Sequence, residues 1–418
     1  MTTQQPNEQS EFELTLTAMA HGGSAIGRHD GRAIFVPYAI PGERMIVRLT
    51  QDRGRFATAE PIQLLEAAPS RVEPRCPNFG PGLCGGCQLQ HIDYAAQLEL
   101  KRQIVIDQMT RIGGFQTLTV HPVLASPDPW QYRTHTTLHA TEEGELGFIS
   151  TDDQHIIPID ECHIIRPELL DLLNALELED IATLDRVRLQ VGSDGNQRLI
   201  GLTTYDGEMP DIEIDIPVSV NYLTESGPQL LIGTDSVDYT IKGRTFTVRA
   251  GGFFQVNLPQ AERLVDLVMD QLALTGTERV LDLFAGVGLF TAFIAEKASA
   301  VISVEGYLPA VEDAERNLGG AAHVEFYAGA VEDVLPTLEG TFDAVVLDPP
   351  RAGVEGEALD TLATLAPTKI VYVSCDLATF ARDAKRLNHK DYQLIQVQPI
   401  DMFPQTASIE LVATFIRN

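Results

Sequence analysis

The sequence predicts a multidomain α/β protein with a small N-terminal β-barrel, a central α+β unit and a C-terminal Rossmann-like domain. Three observations predict this organisation. Residues 8–67 contain short apolar stretches separated by Gly and Pro, residues 68–250 combine clustered cysteines with mixed patterns, and residues 251–418 alternate strand and helix patterns. A chain of 418 residues is long enough for two to three cores of roughly 100–200 residues each.

The barrel is predicted from close-set turns between Phe12 and Glu66, which leave room for about five short strands. Small barrels of this kind often bind oligonucleotides. The net charge of −29 argues against a nucleic-acid partner when taken alone, because phosphate contacts need Lys and Arg. Six arginines nevertheless predict a local basic face on the barrel: Arg28, Arg32, Arg44, Arg48, Arg53 and Arg55.

Four cysteines form the second signal. Cys76, Cys84 and Cys87 lie in CPNFGPGLCGGC, and Cys162 follows in IDECHII. Three thiols among glycines and prolines indicate a loop around a small group, and glycine lets backbone amides approach sulfur. Zinc sites more usually contain two closely spaced pairs of Cys or His ligands, so we favour an iron–sulfur cluster over zinc. Free cysteines that bind no metal are the least favoured alternative.

Residues 91–113 have apolar positions at helical spacing and end at a Gly-Gly pair, which predicts one amphipathic helix of about five turns. We expect this helix to dock on the C-terminal domain. The N-terminus lacks a signal pattern and the chain lacks an apolar run of membrane-spanning length. We therefore expect a cytoplasmic monomer without a membrane partner, in a reducing compartment that suits thiol or metal chemistry.

The C-terminal domain is predicted from ERVLDLFAGVGLFTAFIAEKASAVISVEG, a strand, a glycine turn, a helix and a second strand. Gly286 and Gly288 permit a close approach to a nucleotide-like ligand, and Glu305 can bind a ribose diol. Thr291 stands where a dinucleotide site has its third glycine, and Asp282 would repel a pyrophosphate. The pattern favours S-adenosylmethionine over a dinucleotide.

Two buried strand patterns end in polar residues between Phe342 and Asp376. Because ligands sit at the carboxyl ends of parallel strands, Asp348 and Cys375 should flank one crevice. Two further strands, YQLIQVQPIDMF and ASIELVATFI, are predicted as an antiparallel edge pair. Glu410 lies among apolar residues in the second, where a carboxylate needs a partner or a catalytic role.

These motifs together resemble the S-adenosylmethionine-dependent RNA (uracil-carbon-5) methyltransferases that carry a TRAM barrel and a 4Fe-4S centre, including enzymes of 23S rRNA. The resemblance covers nearly the whole chain and is carried by CGGCQLQH, FFQVN, LDLFAGVG, DPPRAG and SCD. It implies a class I methyltransferase domain at residues 251–418, an RNA-binding TRAM barrel at 8–67 and an iron–sulfur and RNA-recognition domain at 68–250.

The resemblance also implies roles for single residues. Cys375 would be the nucleophile, Glu410 the base, and Asp348 would orient the uracil or shuttle a proton. Contacts to cofactor or target base are implied for Gln255, Phe284, Glu305 and Asp348, and cluster ligation for Cys76, Cys84, Cys87 and Cys162. The chemistry agrees, because uracil carbon 5 becomes nucleophilic only after a thiolate adds to carbon 6, and a carboxylate must then remove the carbon-5 proton.

The sequence departs from the family pattern at four positions, Leu289, Asp376, Gln405 and Ser408. They put cofactor affinity and proton relay in question and leave Cys375 and Glu410 in place. Ribosomal RNA is the preferred substrate and transfer RNA the alternative. Two further hypotheses are a non-catalytic iron–sulfur RNA-binding protein and a nicotinamide-dependent oxidoreductase, neither of which gives Cys375 or Glu410 a role.

Overall fold

A computed structural model describes residues 11–141, 144–176, 183–208 and 216–418. The N-terminal strands close into a barrel in the order β1-β2-β3-β5-β4, as predicted. Their inward side chains alternate along each strand and form a separate core around Ile34, Val36 and Val47. The strands are β1 (Glu11–Met19), β2 (Ala25–His29), β3 (Arg32–Val36), β4 (Arg44–Asp52) and β5 (Phe56–Glu66).

Three of the six arginines predicted as a basic face of the barrel are paired with carboxylates, which reduces the positive charge of that face. Arg44 pairs with Glu13 and Glu66, and Arg48 pairs with Glu11 and Glu60 on the neighbouring strands. Arg32 of β3 pairs with Asp52 of β4, which lies beyond β5 in the strand order. The count of arginines missed this because the acidic partners lie partly outside residues 28–55 and become neighbours only through strand pairing.

The central unit is a seven-stranded sheet in the order β12-β11-β10-β9-β6-β7-β8, preceded by helix α1 and covered by helix α2. The elements are α1 (Tyr94–Gln108), β6 (His135–Ala140), β7 (Leu146–Ile149), β8 (Ile156–Pro158), α2 (Pro167–Asn174), β9 (Leu184–Val191), β10 (Arg198–Thr204), β11 (Ser219–Thr224) and β12 (Gly227–Ile232).

A β-hairpin, a second seven-stranded sheet and six helices make up the rest, and the sheet order is β17-β16-β15-β18-β19-β21-β20. The elements are β13 (Ser236–Ile241), β14 (Arg244–Arg249), α3 (Leu258–Leu272), β15 (Arg279–Leu283), α4 (Leu289–Ile294), β16 (Ala300–Glu305), α5 (Leu308–Leu318), β17 (Val324–Ala328), α6 (Val331–Val334), β18 (Ala344–Leu347), α7 (Gly356–Leu365), β19 (Lys369–Ser374), α8 (Leu377–Asn388), β20 (Tyr392–Ile400) and β21 (Glu410–Arg417).

Five strands of this sheet are parallel, and the last two form the predicted antiparallel pair. The pair forms one edge of the sheet, with β20 outermost and β21 between β20 and β19. The interior position of β21 brings its first residue, Glu410, next to the carboxyl end of β19.

Helix α1 packs on the C-terminal domain, where Ile104, Val105 and Met109 share a core with Phe380 of α8 and its neighbours. A π-helical turn (Met109–Gly113) extends the helix to Gly114, whose φ of 80° ends it. The helix is not amphipathic as predicted, because Gln97 and Lys101 are also on its buried face. Among the described residues, no helix combines the length and apolarity needed to cross a membrane.

The hairpin β13–β14 also packs into the C-terminal core, with Tyr239 and Phe246 against Phe254 and Phe293. The division into domains at residues 8–67, 68–250 and 251–418 stays a prediction.

Candidate functional site

Three side chains of the predicted site lie at the ends of neighbouring strands. Asp348 follows β18, Cys375 follows β19, and Glu410 begins β21. The register pairs Ser374 with Leu411, so Cys375 and Glu410 lie at the same end of adjacent antiparallel strands. Asp348 comes to the same edge because β18 and β19 are parallel. Residues as far apart as positions 348 and 410 therefore come to one edge of the sheet, close enough for the charge of Asp348 to act on Glu410.

The charge distribution of this crevice changes all three groups. Burial, and secondarily the negative charges of Asp282 and Glu305, raises the pKa of Asp348 to about 7. Burial and the nearby Asp348 raise the pKa of Glu410 well above its usual range. Burial, together with the negative charges of Glu410 and Asp348, raises the pKa of the Cys375 thiol to about 12. All three groups therefore favour their protonated forms more strongly than they would in water.

A glycine turn follows the neighbouring strand β15. Gly288 has a φ of 83° and begins α4, and a Cβ atom there would lie 2.9 Å from Leu318 Cδ1. Gly286 also has a positive φ, of 55°, and its amide donates to Glu305 Oε2 at 2.9 Å. The turn therefore needs glycine at both positions, at Gly288 for space as well as conformation.

Glu305 is fixed by a second contact, because the amide of Tyr307 donates to its Oε1 at 2.8 Å. Each oxygen keeps further lone pairs that can accept ribose hydroxyls. Phe284, the residue after β15, has a φ of 64°. Such left-handed conformations of non-glycine residues cluster at ligand sites, where the surrounding structure offsets their cost of about 1–3 kcal/mol.

Thr291, in the position of the missing third glycine, has a structural role. Its hydroxyl donates to Asp282 Oδ2, and both side chains are fully buried. Burial raises the pKa of Asp282 to about 7, and Oδ1 of this carboxyl has no hydrogen-bond partner among the described residues. Asp282 therefore acts on the crevice by its charge, from beneath the glycine turn.

Gln255 and Asp376 flank these groups. Gln255 is only 6% exposed and lies between the buried Phe254 and Val256, just before α3. Asp376 caps α8, since its side chain accepts hydrogen bonds from the amides of Ala378 and Thr379. Capping accounts for a carboxylate at this position, because it satisfies free amides at the helix start.

The four predicted metal-ligating cysteines line a second, separate cavity of about 60 Å³. Among the described residues, no three His, Cys, Asp or Glu side chains converge closely enough to hold one metal ion. Burial raises the pKa of Cys84 to about 11 and of Cys87 to about 12. Arg133 and His163 line the same cavity, and Arg133 Nε and His163 Nε2 are buried without a partner in the described structure.

Sequence reasoning missed the contacts that hold the 401–409 loop, the segment between β20 and Glu410. Lys101 of α1 forms a buried ion pair with Asp401 at 2.6 Å, and Tyr94 donates to the same carboxylate at 2.8 Å. Gln97 donates to Gln405 Oε1 at 2.9 Å. The only signal in the sequence was polar residues on the inner face of α1, since the partners lie about 300 residues away.

Comparison with known proteins agrees with this arrangement. Family models match residues 7–62 as a TRAM domain, residues 336–417 as tRNA (uracil-5-)-methyltransferase and residues 244–366 as a methyltransferase small domain. An uncharacterized RNA methyltransferase of Halalkalibacterium halodurans is 34% identical, with 97% of each chain covered. The 23S rRNA (uracil(1939)-C(5))-methyltransferase RlmD of Alkalilimnicola ehrlichii is 36% identical, also with 97% of each chain covered.

A solved structure is similar over almost the full length. The tRNA (uracil-54, C5)-methyltransferase of Pyrococcus abyssi, in complex with S-adenosyl-L-homocysteine, matches with a TM-score of 0.74 and 28% identity, covering 96% of this chain and 100% of that one. The class I methyltransferase fold predicted for the C-terminal domain is thereby confirmed. From its barrel, its strand-end crevice and these full-length relatives, the chain belongs to the TRAM-containing RNA (uracil-5-)-methyltransferase family of enzymes.

Proposed function

We propose that this enzyme transfers a methyl group from S-adenosylmethionine to carbon 5 of a uridine in RNA, through a covalent bond between Cys375 and carbon 6 of the base. The observation that carries the proposal is the meeting of Cys375, Glu410 and Asp348 at adjacent strand ends. A thiol and two carboxyls of raised pKa are the groups that this chemistry needs.

The reaction begins with proton transfer from the thiol, because a pKa of about 12 keeps Cys375 protonated at neutral pH. Asp348, with a pKa of about 7, is ionised in a large fraction of molecules and takes this proton as sulfur bonds to carbon 6. The electron pair of the C5–C6 double bond moves onto carbon 5 and O4. Carbon 5 then bonds to the methyl carbon, and the bond from that carbon to the sulfonium breaks.

The second half restores the ring. Because its raised pKa favours the acid, Glu410 must first release its own proton to solvent. The carboxylate then removes the proton from carbon 5, and the electron pair of that C–H bond reforms the C5–C6 double bond and breaks the bond between carbon 6 and sulfur. The Cys375 thiolate recovers its proton from Asp348, and Glu410 is left protonated, as it began. The sum is one methyl group gained and one proton lost by the uracil, which balances the reaction.

The donor site is proposed at the glycine turn. Gly286 and Gly288 allow the backbone to approach the ligand, and Glu305, held by two amides, accepts ribose hydroxyls. Phe284 and Gln255 complete the contacts to donor or base. The complex of the Pyrococcus abyssi enzyme with S-adenosyl-L-homocysteine supports S-adenosylmethionine as the donor.

The second cavity suits an iron–sulfur cluster. Cys76, Cys84, Cys87 and Cys162 line one space instead of converging on a point, which favours a group larger than one zinc ion. The unpartnered Arg133 Nε beside the cavity would compensate the negative charge of a cluster with four thiolates. When bound, such a group would be held by the four cysteine thiolates and would supply electron storage, and no step above passes through it.

The RNA substrate is proposed as ribosomal, with transfer RNA as the second candidate. The ribosomal RNA relative is 36% identical and the transfer RNA relative 28%, both over nearly the whole chain. The target uridine must leave its stack to reach the crevice, so a loop uridine is expected.

Two measurements test these proposals. Mass-spectrometric mapping of 5-methyluridine in ribosomal and transfer RNA, from cells with and without this protein, should show one ribosomal position lost. Loss in transfer RNA alone would select the second candidate, and no loss in either would refute the function. Iron and sulfide analysis of anaerobically purified protein tests the cluster, and zinc without iron would overturn it.

A further inference from the structure

We propose that Gln88 is a positioning residue that fixes the 401–409 loop, and through it Glu410, to the cysteine loop formed by residues 76–87. This inference rests on the proposed function, because Glu410 is taken as the base. Gln88 follows directly after Cys87 in the CGGCQLQH motif, where neither ligation nor catalysis explains a glutamine.

The two ends of the Gln88 side chain bind different parts of the molecule. Its Nε2 donates to the carbonyl of Gly85 at 2.7 Å, within the cysteine loop. Its Oε1 accepts from the amide of Ala407 at 3.1 Å, only three residues before Glu410. One side chain thus ties the two loops together across a sequence separation of 319 residues.

The backbone around Gln88 strengthens this connection. The amides of Gln88 and Leu89 both donate to the carbonyl of Gln405, at 3.1 and 2.9 Å. Gln405 has a φ of 68°, a conformation that non-glycine residues hold only when their surroundings impose it. Its carbonyl therefore points at the segment after Cys87 because that segment holds it there.

The barrel packs closely against both loops. Gly23, in the barrel turn after β1, has a φ of 86°, and a Cβ atom there would lie 3.1 Å from Ala407 Cβ and 3.2 Å from Gln88 Cβ. The barrel, the cysteine loop and the 401–409 loop meet at this point. A shift of the cysteine loop would therefore disturb the 401–409 loop, which leads into β21 and Glu410.

Gln88 also lines an open groove with Gly22, Thr137 and Ser150, so direct contact with RNA is the competing explanation. The two roles make different predictions. An RNA contact changes the binding of substrate, whereas a positioning role changes the step in which Glu410 acts. That step follows methyl transfer, so slowing it leaves the methylated covalent adduct on the enzyme.

The test compares the full-length enzyme with three variants. Gln88→Met keeps the side-chain length but loses both hydrogen bonds. Gln88→Glu keeps an acceptor for Ala407 but cannot donate to Gly85. Thr137→Val changes another residue of the groove that has no contact with the 401–409 loop in the described structure. Each variant is assayed for RNA affinity, for protein–RNA adduct in single turnover and for hydrogen exchange of the peptide that spans residues 401–409.

Both Gln88 variants should release product about tenfold or more slowly, since small displacements of a reacting group have effects of this size. Both should accumulate adduct at unchanged RNA affinity. In Gln88→Met, which loses the acceptor for the amide of Ala407, that amide should also exchange faster. Thr137→Val should do none of these. Weaker RNA binding without adduct would overturn the proposal in favour of RNA contact, and a Gln88→Glu variant equal to wild type would remove the link to the cysteine loop. Hydrogen exchange needs no turnover, so it tests the link between the cysteine loop and the 401–409 loop even if the wild-type enzyme methylates no RNA. That absence of methylation would refute the proposed function and not the link.

Discussion

Replacing Glu410, the proposed general base, should stop the reaction after methyl transfer. In Glu410→Gln the side chain keeps its size, and the site, only 3% exposed, still accepts a neutral amide. Cys375 and Asp348 are unchanged, so sulfur addition and methyl transfer continue. The amide cannot accept the carbon-5 proton, however, and the ring cannot expel the thiolate. The variant should therefore hold methylated RNA as a stable covalent adduct.

The size of the effect follows from the role. A positioned general base contributes about 10²–10⁴-fold to a rate, which corresponds to about 3–5 kcal/mol of barrier. If elimination and methyl transfer are of comparable speed in the wild type, the variant should hold about 99% or more of its active sites as adduct during turnover. The wild-type rate should also rise with pH as Glu410 loses its proton, because burial and Asp348 raise its pKa and only the carboxylate accepts a proton. Glu410→Gln should lack this rise.

The assay uses RNA with tritium at carbon 5 of uridine and S-adenosylmethionine with a labelled methyl group. Denaturing gels measure the adduct, and tritium release measures proton removal. The expected result is one methyl group per enzyme, retained in the adduct, with little tritium released. Tritium release at the wild-type rate would assign the base to another group, and the absence of any adduct in a folded variant would refute the covalent route.

Four further predictions test other parts of the structure. Cys375→Ala should abolish adduct formation and methyl transfer, because the thiol acts on the target base alone. Isothermal calorimetry should show an affinity for S-adenosylmethionine within about threefold of wild type. Retained turnover would exclude Cys375 as the nucleophile. The affinity for S-adenosylmethionine should rise from pH 6 to pH 8, because the ionised fraction of Asp348 grows from about one tenth to nine tenths and the carboxylate attracts the sulfonium charge. The affinity for S-adenosylhomocysteine, which lacks that charge, should change less. Equal pH dependence for both ligands would contradict the placement of Asp348 beside the sulfonium. The same raised pKa means that Asp348 stabilises the free protein fully below the unfolded pKa of about 4 and progressively less as pH rises through about 7, so the unfolding midpoint of the free protein should fall across this range. Lys101→Met should destabilise the protein by about 3–5 kcal/mol in denaturant unfolding by leaving Asp401 buried and unpaired, and adding Asp401→Leu should recover part of the loss; additive effects would mean that the pair is not coupled.

The fold class was predictable because each unit carries a local pattern. The barrel follows from the spacing of turns, and the C-terminal sheet from alternating strands and helices that end in polar residues. Cys375 and Asp348 could be placed in one crevice by the rule that parallel strands share a carboxyl edge. Glu410 was found differently, as a charge in an apolar strand, and only the insertion of β21 beside β19 brings it to Cys375.

What the sequence could not predict depends on contacts between distant segments. The prediction of an amphipathic α1 overlooked Lys101, which can lie on the buried face because its partner stands 300 residues later. The arginines of the barrel looked free because their carboxylates stand on neighbouring strands. Both errors have one origin, since a charge pattern along the chain does not reveal which opposite charge folding will place beside it.

The ion pair between Lys101 and Asp401 has a consequence for how the protein can be made. A fragment that starts at residue 251 would contain all seven strands of the second sheet but would lack Lys101, the counter-ion of Asp401. During synthesis Lys101 leaves the ribosome before Asp401, so the pair forms only after residue 401 has been made. A chain that stops short of residue 401 therefore cannot make this contact between α1 and the 401–409 loop.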